Sequence, residues 1–520
     1  MTATDTSPSM TRRRVVQAAA VAGVAAAVVT PATAASAADP AELTGADLVS
    51  ADPLLHLLRR ATYGPSPASI AEITSLGASA WLERQLSPGT LADTECDAVV
   101  ARFPLINLSI AGVHAKVRNG SLKKHTWDVM RQTGYATLTR AVWSNRQLYE
   151  VMCEFWSNHL NVTCPSSDCW DSRQDYDRLV IRRHAMGRFA DMLKASARHP
   201  AMLSYLDNRY STRLAPNENY GRELLELHTV GLGYSEADVK YAARLLTGLT
   251  VNPATGYSMF DRRKHAVGAV RVLGFQHANR TDYGGGAAIM AMLDYLAMHP
   301  ATARRIATKL CVRFVSDDPP ASLVNRLAQV YLANRTAIVP VLRALFTSAE
   351  FAASVGQKVR TPYEDVCATV RALGHRPEPS GTASVQALYW SLEKAGQLPL
   401  AWAPPNGYPD TAAAWASPSG YLTRWNVHLN IVQGWYPKEL VRPDLFATLV
   451  GARPATYGGL VDAVAQRLFG RTLRAEHTEA LTQFFGKTPA STLRSNHPAV
   501  GWLFPYLVGV MLDSPYFQVR

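Results

Sequence analysis

Asn217-Glu218-Asn219-Tyr220-Gly221-Arg222-Glu223-Leu224-Leu225-Glu226-Leu227-His228-Thr229 sets three glutamates, two asparagines, an arginine and a histidine among leucines. The leucine spacing reads as one helix. Charged side chains are costly to bury unless they are paired. Such a helix therefore carries either a solvated face or a polar site inside a large fold, and the density of charge favours the second.

On an ideal helix at 100° per residue, Glu226 shares a face with Arg222, Asn219 and, more loosely, Glu223. His228 falls beside Leu224, so Glu226 and His228 do not reach one metal from a regular helix. The Glu-x-x-His spacing of di-iron bundles is missing. Three readings stay open. Arg222 can pair Glu218 and Glu226 in an internal salt-bridge network. The segment can instead form an acid/base or substrate-binding site. It can also join a metal site with ligands from other segments, for which His159, Asp207, Asp261 and His265 are available.

Outward from this stretch, helical signals dominate, and the fold class expected is mainly α, a large multi-helix body. Asp52-Pro53 is an N-cap followed by proline at the first helical position. Residues 126–156 read as two helices. His199-Pro200 and His299-Pro300 are helix starts with a capping histidine. Ser235-Glu236-Ala237-Asp238 resembles a capping box. Two regions break the pattern. Residues 251–286 are glycine-rich and irregular, with a hairpin expected to turn near Gly268. Residues 398–418 hold five prolines and the aromatics Trp402, Tyr408 and Trp415; a loop of that length in a compact domain is functional or disordered, and its tryptophans argue for order. The expected organisation is a signal segment at 1–37, a helical region at 38–250 bearing the polar motifs, the irregular segment at 251–286, and a second helical region at 287–520.

The first residues read as an address. Arg12, Arg13 and Arg14 precede a weakly apolar run from Val15 to Val29, and Ala35-Ser36-Ala37 offers a small-x-small cleavage site. This favours twin-arginine export to an extracytoplasmic location, secreted or held at the cell wall. The run is shorter than the roughly 20 apolar residues of a spanning helix, and no transmembrane segment is expected elsewhere. The formal net charge is +12. No dense Lys/Arg block accompanies it, which excludes nucleic acid as a partner class and leaves weak attraction to an anionic surface. Among the cysteines, Cys164 and Cys169 sit in a turn-rich segment and are expected to form a disulfide, with half of a zinc site as the rival. Cys153, Cys311 and Cys367 read as buried thiols.

These residues together resemble a known family, the bacterial domain of unknown function 1800. His56-Leu-Leu-Arg-Arg-Ala-Thr-Tyr-Gly-Pro65 looks like its opening motif. Phe155-Trp156-Ser157-Asn158-His159 is similar to its Phe-Trp-His-Asn-His block, with Ser157 in place of the first histidine. Residues 183–187, 199–208 and 217–229 match its central blocks, and Phe260-Asp261 with His265 the segment after them. Pro404-Pro405-Asn406 through Trp415 looks like its late loop, with Tyr408 replacing a tryptophan. The resemblance implies a large, exported, mainly helical protein without an agreed activity. It also implies a possible partner resembling an exported sulfatase or phosphatase-like protein.

No nucleophile elbow, phosphate loop, His-Glu-x-x-His helix or dinucleotide fingerprint is present. The leading expectation is an exported enzyme acting on an extracellular or cell-wall-associated ligand. Glu226, Glu223 and His159 are its catalytic candidates. Asp207, Asn208, Asn219, Arg222, Asp261, His265 and Trp415 are its substrate-binding candidates. No metal ligand set and no cofactor is assigned. A non-catalytic surface binding or assembly module and a metal-bound redox protein are the alternatives.

Overall fold

Local sequence chemistry starts most of the helices where the chain needs them. The computed structural model describes residues 44–520; the expected signal segment at 1–37 lies outside them. Asp52 Oδ1 accepts the amide N–H of Leu54 at 2.8 Å and opens α1, Pro53–Ala61. His199 and His299 each cap a helix by accepting, on Nδ1, the N–H two residues on at 3.2 Å. Seven further helices carry the polar groups discussed below: α2, Gln147–His159; α3, Glu218–Glu223; α4, Glu236–Leu246; α5, Pro300–Phe314; α6, Pro362–Ala372; α7, Pro418–Gln433; and α8, Tyr457–Phe469. Ser235 and Asp238 cap α4 reciprocally. No helix among the described residues is long and apolar enough to cross a membrane.

The only sheets among the described residues are two antiparallel ribbons. β1, Leu249–Val251, pairs β2, Ser258–Phe260; β3, Val270–Val272, pairs β4, Phe275–His277. The fold is therefore mainly α, but the single hairpin expected to turn at Gly268 is replaced by two. Gly268 lies between them and donates its N–H to Asn279 O at 2.8 Å. Gly256, at φ 72, sits in the six-residue β1–β2 loop, and Gly274, at φ 92, in the two-residue β3–β4 turn.

One hydrophobic core runs from Leu48 to Phe517 and draws on helices from both halves of the chain. A smaller cluster, including Met130, Cys164, Trp170 and Leu400, lies beneath the proline-rich loop. The disulfide expected between Cys164 and Cys169 is not formed. Both are buried free thiols, and their Sγ atoms donate to different carbonyls, Met130 O at 3.4 Å and Ala201 O at 3.3 Å. The turn points the two sulfurs into separate packing environments.

Buried charge is arranged in two hubs. Arg313 of α5 lies 3.2 Å from Glu154 Oε2 on α2, 3.0 Å from Glu364 Oε1 on α6, and 3.5 Å from Asp410 Oδ1 of the proline-rich loop. Arg520 reaches Glu364 Oε1 at 2.9 Å. Burial works to raise the Glu364 carboxyl, but Arg313 and Arg520 outweigh it and hold it at about 2. In the second hub His428 of α7 stands between Asp365 Oδ2 at 3.1 Å and Asp513 Oδ1 at 2.8 Å.

Candidate functional site

The stretch from Asn217 to Thr229 is not one regular helix. α3 ends at Glu223, and Leu224–His228 winds as a π-helical turn. Asn217 caps α3 through Tyr220 N–H, and its side-chain amide donates to Leu206 O at 2.7 Å. Gly221 lets α3 lie against α4: a Cβ there would stand 2.8 Å from Val239 O. Thr229 Oγ1 donates to Leu224 O at 2.7 Å and so satisfies a carbonyl of the widened turn. π turns of this kind recur at functional sites.

The close contact of α3 with α4 changes the partners of the charged groups. Arg222 pairs with Glu236 through two bonds of 2.7 and 2.8 Å, on the surface. Glu226 instead accepts the hydroxyl of Tyr234 at 2.5 Å. The expected network of Arg222 with Glu218 and Glu226 is thus not formed, because α4 offers Arg222 a bidentate partner. Glu223 is half-buried and has no hydrogen-bond or ion-pair partner among the described residues. Burial, and then the negative charge of Glu226, push its carboxyl above the usual range, against a pull from Arg222.

His228 lies on the buried side with Leu224 and Leu225, as the helical spacing places it. That side holds a basic cluster. His159 closes α2, and its Nε2 faces His228 O at 3.0 Å; its Nδ1 lies 3.2 Å from Lys309 Nζ of α5. Nε2–H must donate to the carbonyl, so Nδ1 accepts from the lysine. Burial, then Lys309 and Arg305, hold the His159 imidazole neutral, well below the usual range. Burial does the same to His228, brought down to about 3. Lys309 is partly exposed and is pushed down to about 8 by burial and by Arg305. Arg305 Nε donates to Leu227 O at 3.3 Å, within the π turn, and burial weakens its hold on its proton against the charge of Glu226. The π turn therefore carries Glu226 on one side and contacts His159 and Arg305 through its carbonyls.

The other candidates serve elsewhere. Asn208 is buried and donates to Leu246 O and Leu249 O at 3.3 and 3.0 Å, fixing the end of α4. Asp207 is exposed with φ 58, and Asn219 is exposed. Asp261 caps the short turn that follows it through Arg263 N–H at 3.0 Å. His265 is buried with Nδ1 2.7 Å from Thr247 O and Nε2 3.0 Å from Asn279 Oδ1, where it joins the ribbons to α4. Trp415 donates to Pro409 O at 3.0 Å and packs 5.9 Å from the Tyr408 ring, which in turn lies 4.9 Å from Trp402. Asn161 holds this loop through Trp402 O and Pro404 O at 2.8 and 2.7 Å. Tyr205, which feels the Glu223 charge, donates to Ala403 O at 2.5 Å. No group of three or more His, Cys, Asp or Glu side chains that could hold a metal is found among the described residues.

Three members of the site escaped the sequence reading. Tyr234 lies beyond the helix on which Glu226 was placed. Lys309 and Arg305 sit on α5, far along the chain, and their only signal was basic residues recurring four apart on an otherwise apolar helix face.

The chain belongs to the family described as "Protein of unknown function (DUF1800)", which matches residues 56–519. No curated protein and no solved structure matches it.

Proposed function

We propose that the protein, exported by the twin-arginine route, is an enzyme that acts on an extracellular or cell-wall-associated substrate through a carboxylate acid/base pair. The observation that carries this reading is the contrast between Glu223 and Glu226. One carboxyl is half-buried, unpartnered and raised by burial and then by its neighbour's charge; the other is oriented by the Tyr234 hydroxyl. Paired carboxylates in unlike environments divide the roles of acid and base. Glu223 would hold the proton and deliver it to a leaving group. Glu226 would take a proton from the attacking water, with Tyr234 fixing its direction. Hydrolysis is the reaction class that such a pair serves most simply.

The test uses purified mature protein and bacterial cell-wall material, with released fragments read by mass spectrometry. Wild type should release fragments that Glu223→Gln and Glu226→Gln do not, at unchanged melting temperature. Equal yields from all three, zero included, would overturn the reading.

A second reading, a non-catalytic surface module, is favoured by one feature. Trp402, Tyr408 and Trp415 form a partly exposed aromatic row on an ordered loop, a surface suited to stacking on a sugar or peptide. In that case wall binding would persist in both glutamine variants and fall in Trp415→Ala.

A further inference from the structure

Arg59 of α1 and Arg360, just before α6, are both 5% exposed, and both line a cavity of about 230 Å³. Neither has a carboxylate within ion-pair distance among the described residues. Arg59 spends two nitrogens on the backbone, donating to Ser50 O at 3.1 Å and Phe469 O at 2.5 Å. The Arg360 guanidinium has no hydrogen-bond acceptor among the described residues, and it stacks on the Phe517 ring at 4.6 Å. Arg467 also lines the space, and Asp52 is the one carboxylate that does, with an oxygen already capping α1. Three arginines and one aspartate thus line the space. Burial and then the Arg360 charge pull Arg59 down to about 10 against the opposing pull of Asp52, and burial likewise pulls Arg360 down to about 10, although the Asp365 and Glu364 carboxylates act to raise it. A guanidinium out of water without an anion is costly.

Leu54, Leu55, Ile70 and Ala368 give the cavity an apolar wall, beside the polar Ser66, Thr74 and Gln466. A planar fork matches the two oxygens of a carboxylate or phosphate better than a point charge does, and apolar walls take up the body of an organic molecule. We propose that this cavity binds a small organic anion, its carboxylate or phosphate group held by the Arg360 fork beside Arg59 and its apolar portion against Leu55 and Ile70. The site is built from α1, the helix Pro67–Leu76, α6 and α8 and shares no residue with the Glu223–Glu226 pair, so the two proposals stand or fall apart.

The experiment measures the melting temperature and calorimetric binding of the full mature protein with sodium chloride, phosphate, acetate, butanoate and hexanoate at equal ionic strength. Hexanoate is expected to stabilise more than butanoate and butanoate more than acetate, each above chloride. An effect of phosphate alone would assign the head group as phosphate and support the same site. Arg360→Gln should fold, because the guanidinium it removes has no hydrogen-bond acceptor and no ion-pair partner among the described residues, and should weaken binding by about tenfold or more. Should it not fold, Arg360→Lys keeps the charge without the fork and should also bind about tenfold more weakly. Equal melting in every salt, or unchanged affinity in the Arg360 variant that folds, would overturn the proposal.

Discussion

Lys309 Nζ stands 3.2 Å from His159 Nδ1, and the two groups come from helices 150 positions apart in the chain. The imidazole gives up its charge beside the lysine, and burial and then Arg305 pull the lysine itself down to about 8.

That arrangement sets a pH dependence. A lysine whose folded value lies at about 8, below its ordinary 10.5, binds fewer protons folded than unfolded across that interval. Stability therefore rises with pH between about 8 and 10.5, and the cost is fully present below 8. Lys309→Met should raise stability at pH 7 and flatten this rise. Urea denaturation across the interval reads both, and a slope unchanged in the variant would refute the assignment.

His428 gives the opposite slope. Burial acts to lower it, but Asp365 and Asp513 win and hold it up at about 9. Its contribution is complete below the ordinary 6.5 and is lost as pH climbs through about 9. His428→Leu leaves the buried Asp365 facing only Arg424 at 3.8 Å and Gln518 at 3.0 Å. Loss of about 3–5 kcal/mol is expected at pH 6, shrinking by pH 9.5. Paired denaturation curves at the two pH values check it.

Glu226→Gln should be nearly silent in stability, with a change below about 1 kcal/mol. Its partner is Tyr234 rather than a buried cation, and an amide oxygen can still accept that hydroxyl. A large drop in melting temperature would mean that the carboxylate is a structural charge, and the acid/base assignment would go with it.

At Gly407 φ is +73, and a Cβ would stand 2.0 Å from Asn158 O. Gly407→Ala should lift the 398–418 loop from the end of α2. Trp402 and Trp415 fluorescence should shift to the red, and chymotrypsin should cut faster after Trp402 and Trp415. An unchanged spectrum would show that the loop does not depend on this contact.

All six cysteines are free. Denatured protein alkylated without reductant should therefore take up label at Cys164 and Cys169 alike. A peptide carrying both unlabelled and joined would contradict the structure.

The helical class was legible because caps and apolar spacing are local: Asp52, His199, His299 and the Ser235–Asp238 box stand where their chemistry puts them. The hairpin count was missed because glycine marks a turn without stating how many strands it serves. Among the candidates, Glu223, Glu226 and His159 were singled out by charge density and motif. Their neighbours were not, since pairing in space across α3 and α4 or α2 and α5 leaves no mark on sequence spacing. The helical wheel misassigned Arg222 because it assumed one regular helix and no competing partner, whereas Glu236 lies close by only through the bare surface of Gly221. Asp261 and His265, substrate-binding candidates by sequence, cap the turn after β2 and join the ribbons to α4.

Arg313 is satisfied only when α2, α6 and the proline-rich loop have all arrived, bringing Glu154, Glu364 and Asp410 from points spread across about half the chain. Any intermediate that buries α5 before them holds an uncompensated cation in its interior. The hub thus acts as an assembly checkpoint: partial structures are penalised together, and the body should unfold in one cooperative step rather than half by half. The same long-range closure predicts slow folding for a helical protein, because distant segments must meet before the charge is relieved.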